Sequence, residues 1–130
     1  MLYINPIESK SSFQELLNSR YFVDKTGLIS RALESLNIPN KYLCITRPRR
    51  FGKSCNARML ACFLSRGLDA KDMFTGLKVA KDKQTMEHLG AHDVIYIDFS
   101  NLQSERNNYL EYISYIKRGI IKDLCTLCPT

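Results

Sequence analysis

Tryptophan is missing from this 130-residue chain, so seven Tyr and six Phe supply every aromatic side chain. No stretch approaches the roughly 18 consecutive apolar residues that a membrane-spanning helix needs. The opening Met1-Leu2-Tyr3-Ile4-Asn5-Pro6 lacks the charged and then apolar regions of a signal peptide. A cytoplasmic location without membrane contact is therefore expected. The cysteines number five, an odd count that does not suit a framework of paired disulfides. Cys44, Cys55 and Cys62 fall on apolar faces and read as small core hydrophobes in a reducing compartment. Cys125 and Cys128 have metal-knuckle spacing, and His88 and His92 are one helical turn apart. Neither pair has the further ligands nearby that a structural zinc requires. There is no internal repeat and no low-complexity tract. Apolar residues at 45% and charged residues at 25% make an ordinary globular composition, which argues against extensive disorder.

Acidic side chains are outnumbered, 13 against 19 Lys and Arg, and the formal net charge is +6. Arg47, Arg49, Arg50 and Lys53 crowd into one stretch, so the basicity is partly local. That stretch, Thr46-Arg47-Pro48-Arg49-Arg50-Phe51-Gly52-Lys53-Ser54, reads as a phosphate-binding loop without its usual first glycine. Gly52, Lys53 and Ser54 fill the last three places of the pattern, and Arg47 stands where the first glycine would be. Pro48 biases Arg47 toward extended backbone and has no N–H to donate, so this loop opens differently from the ordinary one. The backbone N–H groups of Phe51, Gly52, Lys53, Ser54 and Cys55 are the expected cradle, with the Arg49 and Arg50 guanidinium groups adding charge-assisted contacts to phosphate. Gly52 carries no side chain to block a phosphate. The plain alternative is a basic surface turn that precedes a helix.

The apolar run Tyr42-Leu43-Cys44-Ile45-Thr46 is predicted to be a buried parallel strand leading into the loop. A helix is expected from Lys53, with Cys55, Met59, Leu60, Phe63 and Leu64 at helical spacing and Gly67 as the stop. Upstream, Ser11 or Ser12 is placed to cap a short helix through Phe13, Leu16 and Leu17. Asp24 or Thr26 is placed to cap a second, carrying Leu28, Ile29, Leu33 and Leu36. Downstream come a short helix from Asp69 to Phe74, a turn over Phe74-Thr75-Gly76-Leu77 and a weakly helical stretch from Asp82 to Leu89. A second strand is read in Val94-Ile95-Tyr96-Ile97-Asp98-Phe99. A long helix follows from Asn107 or Asn108, with a stripe of Tyr109, Tyr112, Ile113, Ile116, Ile120 and Leu124 expected to cover a sheet face. The expected fold class is α/β, a P-loop type parallel sheet flanked by helices. Residues 1–40 would form a helical lead-in, and residues 41–130 the phosphate-loop unit and the next strand and helix. Two apolar strands are few against the usual four to six or so, so an incomplete domain is expected.

Four segments resemble the AAA-ATPase-like P-loop proteins found in many microbes. They are Tyr21-Phe22-Val23-Asp24-Lys25-Thr26, the Arg-Pro-Arg-Arg-Phe-Gly-Lys-Ser loop of residues 47–54, Phe74-Thr75-Gly76-Leu77, and Val94-Ile95-Tyr96-Ile97-Asp98-Phe99-Ser100. In this resemblance the missing glycine is a family trait. It implies an ATP-binding domain that uses Mg²⁺, joined in longer relatives to a C-terminal nuclease-like domain. Lys53 would meet the terminal phosphates and Ser54 would bind the Mg²⁺. The family's later Asp-Glu-Tyr-Asp type motif has no counterpart before Thr130, so the chain looks like the N-terminal part of such a domain, and hydrolysis is expected only from a longer chain. Asp98 ends an apolar run as a Walker B aspartate would, yet by resemblance it belongs to the preceding strand. Mg²⁺ coordination and a structural role both stay open for it. The Tyr21 to Val23 position often helps to form an adenine pocket in related ATPases, with core packing as the alternative. Two further readings compete: a nucleic-acid-binding module built on the basic loop, and a nucleotide-binding switch or scaffold without turnover.

Overall fold

The computed structural model describes residues 3–39, 42–44, 53–97 and 109–127. The first helix, α1 (Ile7–Leu17), starts immediately after Pro6, a full turn earlier than a Ser11 or Ser12 cap would give. Pro6 is already extended at φ −66° and ψ 118°, which suits proline's fixed φ. The Ser9 hydroxyl donates to the Pro6 carbonyl at 2.6 Å and closes the first turn. Next come α2 (Gly27–Glu34), which tightens into a 3₁₀ turn at Ser35–Asn37, and α3 (Lys53–Leu64). Two single-turn helices follow, α4 (Lys71–Phe74) and α5 (Lys83–Met86), separated by a 3₁₀ turn at Lys78–Lys81. The long α6 (Tyr109–Leu127) is last among the described elements.

The core lies where α1 crosses α3, with α2 and the α4 region closing it. Phe13, Ile29, Met59, Cys62, Phe63, Phe74 and Val79 are its buried residues, with Ala70 beside them. Phe74 is its hinge: it stacks on Phe13 with centroids 4.9 Å apart and meets Phe63 edge-on at 5.0 Å. Burying one such ring contributes roughly 1.5–3 kcal/mol, and a well-placed aromatic pair adds about 0.5–1.5 kcal/mol. The end of α3 is tied to a later segment. The Phe63 carbonyl accepts from Gly90 N–H at 2.8 Å and the Leu64 carbonyl from His92 N–H at 3.0 Å. These are carbonyls that a helix end leaves without an intrahelical partner. Gly90 makes the approach at φ +66°, a backbone region that costs glycine little.

The expected parallel sheet is absent: among the described residues there is no β-strand, only two isolated bridges. Ile95 pairs antiparallel with Ile4, flanked by Asn5 N–H to the Val94 carbonyl and Tyr96 N–H to the Tyr3 carbonyl, each at 2.8 Å. Ser65 and His92 make the parallel bridge. Val94 to Ile97 is thus a β-rich run whose partner is the short N-terminal segment, and Ile95 stays 58% exposed. Tyr42, Leu43 and Cys44 are exposed and form no strand. β-propensity measures fit to a neighbouring pleated surface, and without that neighbour an apolar run does not become a strand. The α/β sheet architecture is therefore replaced here by helix-on-helix packing.

The inner stripe of α6 covers the N-terminal segment in place of a sheet face. Ile116 is buried and Tyr112, Ile113 and Ile120 are half-buried, whereas Tyr109 and Leu124 face outward. The buried Asp123 carboxylate accepts from Tyr3 N–H at 2.5 Å and Ile4 N–H at 3.3 Å. Gly119 lies against the Tyr3 ring with no room for a Cβ.

Candidate functional site

The helix expected from Lys53 is present as α3. The helical backbone of α3 starts at Lys53, and its first turn, Lys53-Ser54-Cys55-Asn56, holds no acidic residue. The leading N–H groups of a helix have no intrahelical acceptor, and the dipole leaves that end partly positive, so an acid-free first turn suits an anion. Arg49, Arg50, Phe51 and Gly52, with Asp98, lie outside the described residues. Of the expected site residues that leaves the backbone of Lys53 and Ser54, together with Cys55.

The opposite face of α3 fixes its direction. Met59, Cys62 and Phe63 are buried against the core, so α3 is anchored through its second and third turns. Of the three cysteines expected inside, only Cys62 is buried; Cys44 and Cys55 are exposed. Burial pushes the Cys62 thiol up to about 11, with the Lys10 charge only partly opposing it. At neutral pH it is an un-ionised packing group, while Cys55 on the first turn is open to solvent.

Beside that first turn α1 and α3 leave a groove of about 290 Å³. Ser12, Glu15, Leu16 and Ser19 line it from the α1 side, and Cys55 and Arg58 from α3. Residues 12, 15, 16 and 19 recur at the helical period, which is the signal that could have marked this face. The groove itself depends on how α1 crosses α3, which spacing within one helix does not reveal.

Two of the four segments that carry the family resemblance prove to be one unit. Asp24 Oδ1 accepts from the Thr26 N–H at 2.9 Å and the Thr26 hydroxyl at 2.6 Å. Asp24 Oδ2 accepts from Lys78 N–H at 2.7 Å, and Thr26 Oγ1 from Val79 N–H at 3.1 Å. The Tyr21 to Thr26 segment is thereby joined to the 3₁₀ turn that follows Phe74 to Leu77. Partial burial alone would raise the Asp24 pKa, but the Thr26 hydroxyl, the two N–H groups and the Lys78 charge outweigh it and hold the carboxyl below its ordinary value. Phe22 packs edge-on against Phe13 at 6.4 Å. Tyr21 and Val23 are 81% and 67% exposed, and Arg20 lies 5.7 Å from the Tyr21 ring.

A second, more polar cavity of about 240 Å³ includes Ser30, Glu34, Asp82, Thr85 and His88 in its wall. Asp82 caps α5 by accepting from Thr85 N–H and, at 2.7 Å, from the Thr85 hydroxyl, and these bonds hold its pKa below the ordinary value. His88 Nδ1 and His92 Nε2 share one hydrogen bond at 2.9 Å, which accounts for their proximity. Among the described residues no three His, Cys, Asp or Glu side chains converge as a metal site would need, and no helix is long and apolar enough to cross a membrane.

The family model described as Predicted AAA-ATPase matches residues 8–124, a span that runs from α1 into α6. The chain belongs to that AAA-ATPase-like family. Neither a search of curated proteins nor one of solved structures gave a match.

Proposed function

We propose that this AAA-ATPase-like chain binds a nucleoside triphosphate, ATP, with its polyphosphate at the start of α3. The observation that carries the reading is that Lys53 and Ser54 of the Gly52-Lys53-Ser54 motif lie on the helical backbone of α3, whose residues 53–56 include no acid. The donor set suits the group: leading helical N–H groups, a lysine ammonium and a serine hydroxyl are the groups that P-loops offer to polyphosphate and Mg²⁺. Lys53 neutralises the terminal phosphates, Ser54 supplies the hydroxyl to Mg²⁺, and Arg49 and Arg50 add positive charge. Gly52 lets the phosphate approach the backbone. When bound, Mg²⁺ supplies charge neutralisation between phosphate oxygens. A role for Asp98 toward the metal belongs to the same proposal.

The test is calorimetric titration of the chain with Mg²⁺-ATP. Wild type binds, and Lys53→Ala loses at least about 1.5–3 kcal/mol, the contribution of a charge-assisted contact, which is roughly 10-fold to 100-fold in affinity. Unchanged affinity in Lys53→Ala overturns the assignment.

A further inference from the structure

The apolar residues of α6 reach further around the helix than the N-terminal segment covers. Ile116 is buried and Ile113 and Ile120 are half-buried, but Leu110, Ile121 and Leu124 are 74%, 57% and 47% exposed. At 3.6 residues per turn, Leu110, Lys117, Ile121 and Leu124 fall within about 60° of one another, and the stripe they form is about 21 Å long. It lies roughly a third of a turn from Ile116. The helix thus carries two apolar stripes side by side, and one of them faces solvent. An exposed apolar stripe rimmed by polar residues is the usual mark of an interaction surface.

The rim is basic. Lys117 lies within the stripe and Arg118 and Lys122 run along one side of it, all three exposed. Glu111 is the single acid among the exposed described residues of α6. It stands about 9 Å or more along the axis from each of these cations, so it offsets them only in part. The other carboxylate of the helix, Asp123, is buried and accepts from the Tyr3 and Ile4 N–H groups.

Shape and charge together select the occupant. A stripe this narrow and this long matches the apolar side of one helix laid along it, and cations at its edge attract carboxylates on that helix's flanks. A second copy of the chain would bring the same three cations against these, on top of a formal net charge of +6. A bilayer takes up the full apolar face of an interfacial helix, whereas part of the α6 face is already held by Tyr3 and Ile4. We propose that the outer face of α6 docks an acidic amphipathic helix of another protein. Leu110, Ile121 and Leu124 receive its apolar side chains, and Lys117, Arg118 and Lys122 meet its carboxylates.

The experiment measures fluorescence anisotropy of two labelled peptides of about 18 residues, long enough to be helical in water, titrated with the full chain. One is built from Leu, Ala and Glu with Leu at the helical period, and the other has Lys in place of every Glu. Wild type should bind the acidic peptide at least about tenfold more tightly than the basic one. Leu110→Ser with Ile121→Ser should weaken the acidic peptide at least about fivefold, the scale of two partly buried apolar contacts. Lys117→Glu with Lys122→Glu should invert the preference. Equal binding of the two peptides overturns the proposal, and so does acidic-peptide binding that both double variants leave unchanged, which would be general attraction to a basic chain. Vesicles of phosphatidylglycerol that bind wild type more tightly than the acidic peptide does, or a dimer in sedimentation that Leu110→Ser with Ile121→Ser abolishes, assign the face to a bilayer or to a second copy and likewise overturn it. If the serine variant does not fold, the charge-reversed variant decides alone.

Discussion

Thr26→Val removes one oxygen from the interior and tests what joins α2 to the turn before α5. Thr26 is fully buried, and its hydroxyl donates to Asp24 at 2.6 Å while accepting from Val79 N–H at 3.1 Å. Valine keeps the branched shape, so little packing is lost. Two hydrogen bonds go, each worth about 1 kcal/mol net, and the N–H of the buried Val79 is left without its acceptor, a penalty within about 1–3 kcal/mol. The added methyl group returns up to about 0.8 kcal/mol. The balance is a loss of about 2–4 kcal/mol. Urea unfolding followed by far-UV ellipticity reads this as a midpoint lowered by about 1–2 M at unchanged slope, taking a slope near 2 kcal/mol per molar. Combined with Asp24→Asn in a double-mutant cycle, the two changes should be non-additive by at least about 0.5 kcal/mol, because they share one bond. Additive effects, or a Thr26→Val cost below about 0.5 kcal/mol, would refute the reasoning.

The same network carries a pH signature with a definite sign. The folded-state pKa of Asp24 is lowered from its ordinary 3.8, so its carboxylate contributes stability that is present above 3.8 and is lost as pH falls through that value toward the folded one. The stability gap between wild type and Asp24→Asn should accordingly shrink from pH 5 down to pH 3. A gap that is flat or widens over that range contradicts the assigned cause.

Two further outcomes follow from the packing. Phe74→Ala empties the position between Phe13 and Phe63 and should cost about 3–5 kcal/mol in the same urea assay; a cost under about 1.5 kcal/mol would mean that the three rings are not mutually supporting. Gly119→Ala sets a helix-propensity gain of up to about 1 kcal/mol against a methyl group driven into the Tyr3 ring, a clash of about 1–3 kcal/mol, so a net loss is expected and a more stable variant would show that the Tyr3 ring shifts freely.

Most helices were legible in the sequence because their signals are local. Met59 and Phe63 mark the inner face of α3 by spacing alone, and Asp82 caps α5 from the adjoining position. The strands were misread because a strand needs a partner that its own residues do not name. Val94 to Ile97 has the composition of a buried strand, yet among the described residues its backbone pairs with Tyr3 to Asn5 and no strand forms. Asp24 and Thr26 were read as local caps for α2, while two of their hydrogen bonds go to N–H groups 54 and 53 residues away. Cys55 shows the same limit within the site: its spacing fits an apolar stripe, but α3 is oriented by Phe63 and Cys62, which leaves Cys55 outward beside the groove.

These connections separate support from binding in this AAA-ATPase-like chain. Thr26 holds the turn at Val79, that turn follows Phe74, and Phe74 meets Phe63 on α3, whose other end begins at Lys53. Among the described residues, the two family segments at residues 21–26 and 74–77 thus connect through the core to the Lys53 end of α3, where phosphate binding is proposed. A Thr26→Val protein that remains folded should then keep its ATP affinity, because a rigid helix transmits position and makes no ligand contact there. Lys53→Ala should do the reverse, since alanine is the best helix former and leaves α3 intact while removing the ammonium. If the two variants lowered affinity and stability in parallel, the phosphate end and the aromatic core would be a single cooperative unit, and the division of labour argued from Phe74 would be wrong.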